Sequence, residues 1–566
     1  VATALVLVGG VPLFLRMPPW PDVTLYDMAV RALFRGGVLY RDVFDTNLPG
    51  VVWVMAGVRA VFGWSYEALR AWDLVVVGAA AGVLGAWAKR AGATPAAVAW
   101  YAAAVALFYP FTSEFSHCQR DPWMLLPAAA AGLLRVRQAG RAAADGVSVR
   151  AAVGEGFVWG LAVWLKPHVM VPAAGVWAVS AVRIARRAGP GAAGRDLLGL
   201  VGGGLLAGLP GVIWLVASGA WPYFWDIFTN WNPDYLRGEW RTLSHKLGYG
   251  FWCFRPWGLV HVAALPPAVL DVWRGVARRS ADDQPGGGRA LLAALYLGWF
   301  AQAVFVQKGF DYVHVPVTLL GLAVLAGRGW AVGFAYLVGF AAVGAVVLTP
   351  GTEALVRAVA RANKVARFEP HPLTDPVVMA VWPRCFADPP GSAELRDRLG
   401  QHTGIHNAAH WRDLEAVAAY LRAADPPVGD RELTCWHDST HPLYLMLDRD
   451  PSTRYMHFGT VLAIPGHADE VRRAVADSPQ RYVVADLARM TWEPGLARTP
   501  GAAGPHSLPG WFPRSQLGLF PWDQPLVFRS GRYVVHRLDH RPTPDQVAIP
   551  DWLEVGYLGP GIGSGQ

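Results

Sequence analysis

Ionisable side chains are scarce in this chain, and many stand where apolar segments end. The first such stretch reads Trp20-Pro21-Asp22-Val23-Thr24-Leu25-Tyr26-Asp27, then Leu39-Tyr40-Arg41-Asp42-Val43-Phe44-Asp45-Thr46-Asn47-Leu48-Pro49-Gly50. A second reads Ser116-His117-Cys118-Gln119-Arg120-Asp121-Pro122. Leu165-Lys166-Pro167-His168 and Gln307-Lys308-Gly309-Phe310-Asp311-Tyr312-Val313-His314 add two more. Only five of the 50 basic residues are lysine, so Lys166 and Lys308 stand out in an arginine-biased composition. Such a set suits one chemistry. Cations hold a phosphate through charge-assisted hydrogen bonds, and a carboxylate takes the proton from an acceptor hydroxyl. A phosphate that departs as an anion needs fixed donors. Ionisable groups at membrane ends are functional candidates by default. Competing readings are ordinary: Asp42 and Asp45 as turn-formers, the lysines snorkelling, Arg120-Asp121 as a local ion pair.

The elements that must position these residues are apolar. Hydrophobic residues make up 53% of 566, charged residues 16%, and mean hydropathy is +0.26. That excludes a disordered chain and argues against a purely soluble enzyme. Four cysteines exclude a disulfide-built scaffold. Residues 1–350 carry 28 basic and 18 acidic side chains, and the remaining 216 carry 22 and 24. The two parts therefore meet different solvents. The basic excess belongs to membrane loops, and without a basic stripe with interleaved aromatics no nucleic-acid partner is expected.

Apolar runs at 1–15, 67–88, 96–111, 122–135, 153–166, 168–183, 196–217, 256–273, 290–306, 313–327 and 330–348 predict about eleven transmembrane helices. The run 50–63 is too short to cross. Read as an interfacial helix, it leaves Lys89-Arg90, Arg135/Arg137/Arg141, Arg183/Arg186/Arg187 and Arg274/Arg278/Arg279 on one side, the cytoplasmic one. The polar stretches then share the outer face. The expectation is a polytopic α-helical membrane module, 1–350, with a first outer loop 16–66, and an extracytoplasmic α/β domain, 351–566. Helices are predicted at 411–424 and 468–477, and strands at 432–436, 481–485 and 532–536.

Asp22 with the following helix, Gly37-Val38-Leu39-Tyr40-Arg41-Asp42 and Asn47-Leu48-Pro49-Gly50 resembles the GT-C membrane glycosyltransferases. Within that superfamily it is similar to the bacterial protein-mannosyltransferase and aminoarabinose-transferase group. Arg120-Asp121 and Gln307 to Pro316 fit too. The resemblance covers about residues 1–350. It implies a polyprenyl-phosphate sugar donor, an unidentified acceptor, a site outside the bacterial cytoplasmic membrane and inversion at the anomeric carbon. It makes Asp22 the general base and Asp121 the second-loop carboxylate. Arg120 and Lys308, then His314 and Lys166, become phosphate contacts. Where many members have Asp-Glu, this chain has Asp22-Val23, so Asp27, Asp42 and Asp45 stand as alternative acidic residues.

The residue set demands no metal or other cofactor, and it rules no divalent metal out. His402, His406 and His410 recur at spacing four, as do His437 and His441, but Gly404 and the missing glutamate argue against a zincin-like site. Cys118, Cys253, Cys385 and Cys435 fall outside, where disulfides can form or thiols stay free. Trp221, Trp225 and Trp231 are candidate sugar platforms. Gly202-Gly203-Gly204 inside an apolar run points to close helix packing. Rival functions are a transporter or flippase for a lipid-linked sugar, a membrane anchor for a C-terminal binding domain, and an oligosaccharide ligase. Charges at helix ends and the lack of a repeat disfavour the transporter.

Overall fold

A computed structural model describes residues 2–141, 146–237, 243–254, 257–277, 284–329, 333, 339, 376–400, 409–490 and 507–547. Its N-terminal part is helical: α1 Ala2–Arg16, α2 Pro21–Phe34, α3 Gly50–Phe62, α4 Tyr66–Arg90, α5 Pro95–Phe108, α6 Arg120–Arg141, α7 Val149–Leu165, α8 Met170–Ala188, α9 Pro190–Ala217, α10 Trp221–Asp226, α11 Asn232–Arg237, α12 Leu243–Trp252, α13 Leu259–Ala277, α14 Gln284–Ala301 and α15 Asp311–Ala326. Local chemistry marks several starts. The side chains of Ser65, Thr94 and Ser148 accept from the backbone N–H of Ala68, Ala97 and Ala151 at 3.1, 3.2 and 3.3 Å, as N-caps do.

Among the described residues five helices are long and apolar enough to cross a membrane: 66–90, 167–188, 190–217, 259–277 and 287–306. The pair α1 and α2, bent by 64°, raises this to six if it counts as one span. The sequence predicts about eleven. Helix α5 is short, and the arginines, prolines and glutamine of α6 keep its hydropathy below that of the five. The run 330–348 lies almost wholly outside the described residues. The run 50–63 does form a single short helix, α3.

Glycine sets the contact between α7 and α9. A Cβ on Gly203 of α9 would stand 2.0 Å from Val153 O of α7, and one on Gly156 of α7 would stand 2.0 Å from Leu200 O of α9. The two backbones touch because neither residue has a side chain there. Of the predicted triplet only Gly203 is essential to this contact, since Gly202 faces open space. One predicted loop charge belongs inside. Arg135 is fully buried, with Glu155 at 2.8 Å and Asp196 at 2.5 Å, joining α6, α7 and α9. It therefore does not count among the charges that orient the loops.

The C-terminal part carries a four-stranded sheet, order β1-β2-β4-β3, with β1 Leu433–Cys435, β2 Tyr482–Asp486, β3 Leu526–Ser530 and β4 Tyr533–Arg537. β1 and β2 run parallel, and the other pairs are antiparallel. Three strands match the predicted ones. β3 was not anticipated, because its side chains are only half-buried and its apolar pattern is weak. The predicted helices appear at Trp411–Arg422 and Ala468–Ala476. Tyr420 stacks on Phe528 at 4.4 Å, seating the first helix on the sheet.

This sheet unit docks on the first loop. Arg31 reaches Asp450 at 3.0 Å, Arg35 reaches Asp448 at 2.6 Å, and Phe44 N–H donates to Arg454 O at 2.8 Å. Helix α2 is thus clamped between the helical bundle and the C-terminal segment.

Candidate active site

Pro21 at the first position of α2 starts that helix without losing a needed N–H, and Asp22 follows in its first turn. Gln119 Nε2 donates to Asp22 Oδ2 at 3.2 Å. The second Asp22 oxygen accepts no hydrogen bond among the described residues. The segment 112–121 that brings Gln119 here is held from behind. Asp73 accepts from Tyr109 Oη at 2.7 Å, Cys118 N at 3.0 Å and Trp123 Nε1 at 2.6 Å. His117 lies 2.8 Å from Arg70 Nη1 and 2.9 Å from Thr112 Oγ1.

Arg120 begins α6 and is buried. A cation at a helix N-terminus opposes the helix dipole, so helix stability does not explain it. Asp45, Asp121 and the rings of Tyr26 and Tyr312 are its electrostatic neighbours. Its Nε has no hydrogen-bond partner, and no protein acceptor bonds its guanidinium among the described residues. Asp45 folds an Asx turn, its Oδ1 accepting from Asn47 N at 3.1 Å and Nδ2 at 2.6 Å. Burial lifts the Asp45 carboxyl to about 6, with Arg120 opposing.

Asp121 is fully engaged. Lys166 Nζ bonds its Oδ2 at 2.8 Å, and Gln307 Nε2 donates to its Oδ1 at 3.2 Å. Lys166 also lies 5.5 Å from the Tyr312 ring centroid. Lys166 is therefore the partner of Asp121 in this structure, not a bare phosphate contact. Lys308 sits over Tyr235 at 3.4 Å, and Lys246, a lysine the sequence did not single out, bonds Gln307 O at 3.3 Å. His314 packs against Tyr249 and the backbone at Gly250.

Two alternative carboxylates are structural. Asp27 takes a bidentate bond from Arg59, both contacts 2.7 Å and both side chains sealed from solvent. It cannot accept a substrate proton without breaking that pair. Asp42 accepts from Val38 N at 2.7 Å and from both arms of Arg41, closing a turn. Trp231 is no sugar platform: it is buried, 4.6 Å from Phe44 and 3.9 Å from His467 between ring centroids. Trp221 and Trp225 stack at 5.6 Å, and Trp225 is half exposed. All four cysteines are free thiols, so no disulfide forms among them.

The C-terminal segment supplies residues the sequence reading missed. Asp438 and His457, 3.2 Å apart, are electrostatic neighbours of Asp22. Burial alone would lower the His457 pKa. Asp438 foremost, then Asp22 and Asp45, hold it up at about 9. Neither residue belongs to a spaced motif, so no sequence signal marked them. The spacing-four pair His437 and His441 is not a helix face. A short 3-10 turn, Asp438–Thr440, separates them, and His437 Nδ1 accepts from Asp486 N at 2.9 Å. His402 and His406 lie outside the described residues, and His410 pairs with Asp413.

No family model matches the chain, and no curated protein matches it. Among solved structures it is similar to the Archaeoglobus fulgidus oligosaccharyltransferase in the apo form, with TM-score 0.42 and 12% identity over 86% of this chain and 70% of that one. The same enzyme tethered to an acceptor peptide containing the NVT sequon gives 0.42 and 12% over 87% and 69%. AglB from that organism, in complex with an inhibitory peptide and a dolichol-phosphate, gives 0.41 and 11% over 86% and 69%.

Proposed function

We propose that this chain is a GT-C-type glycosyltransferase of a bacterial cytoplasmic membrane. It moves a sugar from a polyprenyl-phosphate donor to an acceptor on the outer face. The carrying observation is Arg120: a buried guanidinium without a protein acceptor among the described residues, beside Asp22, Asp45 and Asp121. That is a seat for a phosphate anion next to a base. Asp22, with one oxygen open, takes the acceptor proton. The acceptor oxygen bonds the anomeric carbon from the face opposite the phosphate, the carbon–phosphate-oxygen bond breaks, and the configuration inverts. The polyprenyl phosphate leaves with the bond pair, held by Arg120 with Lys308 close by. Asp121, fixed by Lys166 and Gln307, orients Arg120 and the donor. About eleven crossings, with 351–566 outside as a separate domain covering the site, complete the arrangement. The site needs no metal for these steps.

The test is transfer in membranes bearing the protein, with labelled polyprenyl-phosphate mannose, glucose and aminoarabinose supplied separately. Wild type transfers from one of them, and Asp22→Asn at equal protein level does not. Transfer that survives Asp22→Asn moves the base to Asp45, whose Oδ2 is also unbonded among the described residues. Absence of both transfer and donor binding overturns the reading in favour of a transporter or anchor.

A further inference from the structure

We propose that Asp438, His441 and His457 form a binding site for a divalent transition-metal cation of the zinc class, on the wall that the C-terminal segment presents to Asp22 and Asp45. Each of the three offers one ligand atom, and these atoms lie within 4.8 Å of one another. His457 Nδ1 is 3.2 Å from Asp438 Oδ1, and His441 Nε2 is 4.0 Å from the same oxygen. The two imidazole rings stand 5.0 Å apart at 84°. Donors around a four-coordinate zinc are about 3.4 Å apart, given bond lengths near 2 Å. The Asp438–His457 edge already has that length, and His441 needs a shift of about an ångström to complete the set.

The nitrogens that face the carboxylate are His457 Nδ1 and His441 Nε2. As the side chains stand, the first pairs with Asp438 and the second meets Met456 O at 2.9 Å, contacts that a bound ion replaces. The far nitrogens, His441 Nδ1 and His457 Nε2, are buried and bond nothing among the described residues, so they do not hold the rings against that turn. The frame is stiff: Trp436 N–H donates to Val484 O of the sheet, and the Trp436 ring stacks on Phe458 at 4.9 Å. That stacking ties the turn carrying Asp438 and His441 to the segment carrying His457.

The donor set selects the ion. Two imidazoles and one carboxylate favour zinc or cobalt over magnesium or calcium, which prefer all-oxygen shells. Three protein ligands leave a fourth position for water or for an oxygen of a bound molecule. The site stands on these contacts alone and does not depend on the transferase reading.

The test uses the full chain purified in detergent and stripped with a chelator. Titration with Co²⁺ is followed by the visible bands of the four-coordinate ion, and retained Zn²⁺ is counted by elemental analysis after dialysis. Wild type binds one equivalent, and Mg²⁺ does not compete. Asp438→Asn and His457→Gln, at partly exposed positions, each weaken binding by more than about 100-fold with an unchanged circular dichroism spectrum. His441→Ala abolishes it. If wild type retains no ion, or if Asp438→Asn and His457→Gln bind as wild type does, the site does not exist. A chain that binds the ion yet transfers no sugar keeps this site and removes only the transferase reading.

Discussion

Five carboxylates gather near the first loop, and their free oxygens separate them. Asp27, Asp42 and Asp121 have both oxygens engaged, whereas Asp22 and Asp45 each keep one unbonded among the described residues. A general base needs an open lone pair within reach of its proton. Asp22→Asn is therefore expected to cut sugar transfer by about 10²–10⁴-fold with unchanged thermal unfolding, measured in the membrane assay. Asp27→Asn has the opposite profile. It leaves Arg59 buried without its charge partner and costs about 3–5 kcal/mol of stability. The double change Asp27→Leu with Arg59→Met removes both charges and recovers most of that loss. Denaturant unfolding of the three variants decides between this role and catalysis. The sequence singles out Asp22 as an ionisable residue where an apolar segment ends. The engagement of Asp27 by Arg59 was not legible there, since the pair joins residues 32 positions apart.

Between elements, glycine and arginine do the joining. Gly203→Ala places a methyl group 2.0 Å from Val153 O, so α9 must move away from α7. Overpacking of this kind costs about 1–3 kcal/mol. A lower unfolding temperature is expected for Gly203→Ala and none for Gly202→Ala, whose methyl group meets open space. The docking of α2 to the C-terminal segment rests on Arg31 and Arg35. Arg31 is buried and also bonds Tyr444 O at 2.9 Å, whereas Arg35 is exposed. Arg31→Ala should thus loosen the C-terminal segment and speed its release by limited proteolysis. Arg35→Ala should change little, because exposed ion pairs contribute about 0–1 kcal/mol. An equal effect of the two changes would show that burial of Arg31 contributes nothing.

At the scale of the molecule, the sheet unit has an acid limit. Arg532 bonds Asp486 through both guanidinium arms, offsets the burial of that carboxyl and holds its pKa below the ordinary range. A depressed carboxylate stabilises the fold above its unfolded pKa of about 4 and loses that contribution as pH falls through the folded value. Unfolding temperature should therefore drop on acidification below about pH 4, and Asp486→Asn should lower it at neutral pH while flattening that acid limb. A slope identical to that of wild type would assign the acid limit to other groups.

The sequence by itself determined the class of molecule: apolar segments of spanning length, a charged C-terminal part with helices and strands, and polar stretches at the segment ends. These follow from composition and from periodicities of two and 3.6 residues, which are local properties of the chain. It also marked Asp22, Arg120 and Asp121 as chemistry-bearing positions. Tertiary structure decided which of them remain available. Lys166 and Gln307 take up Asp121, Arg59 takes up Asp27, and Arg120 is left with a bare donor among the described residues. Asp438 and His457 reach the same site only because residues far along the chain fold back over the first loop. Charge pairing acts over a few ångströms in space, and sequence separation carries no record of it.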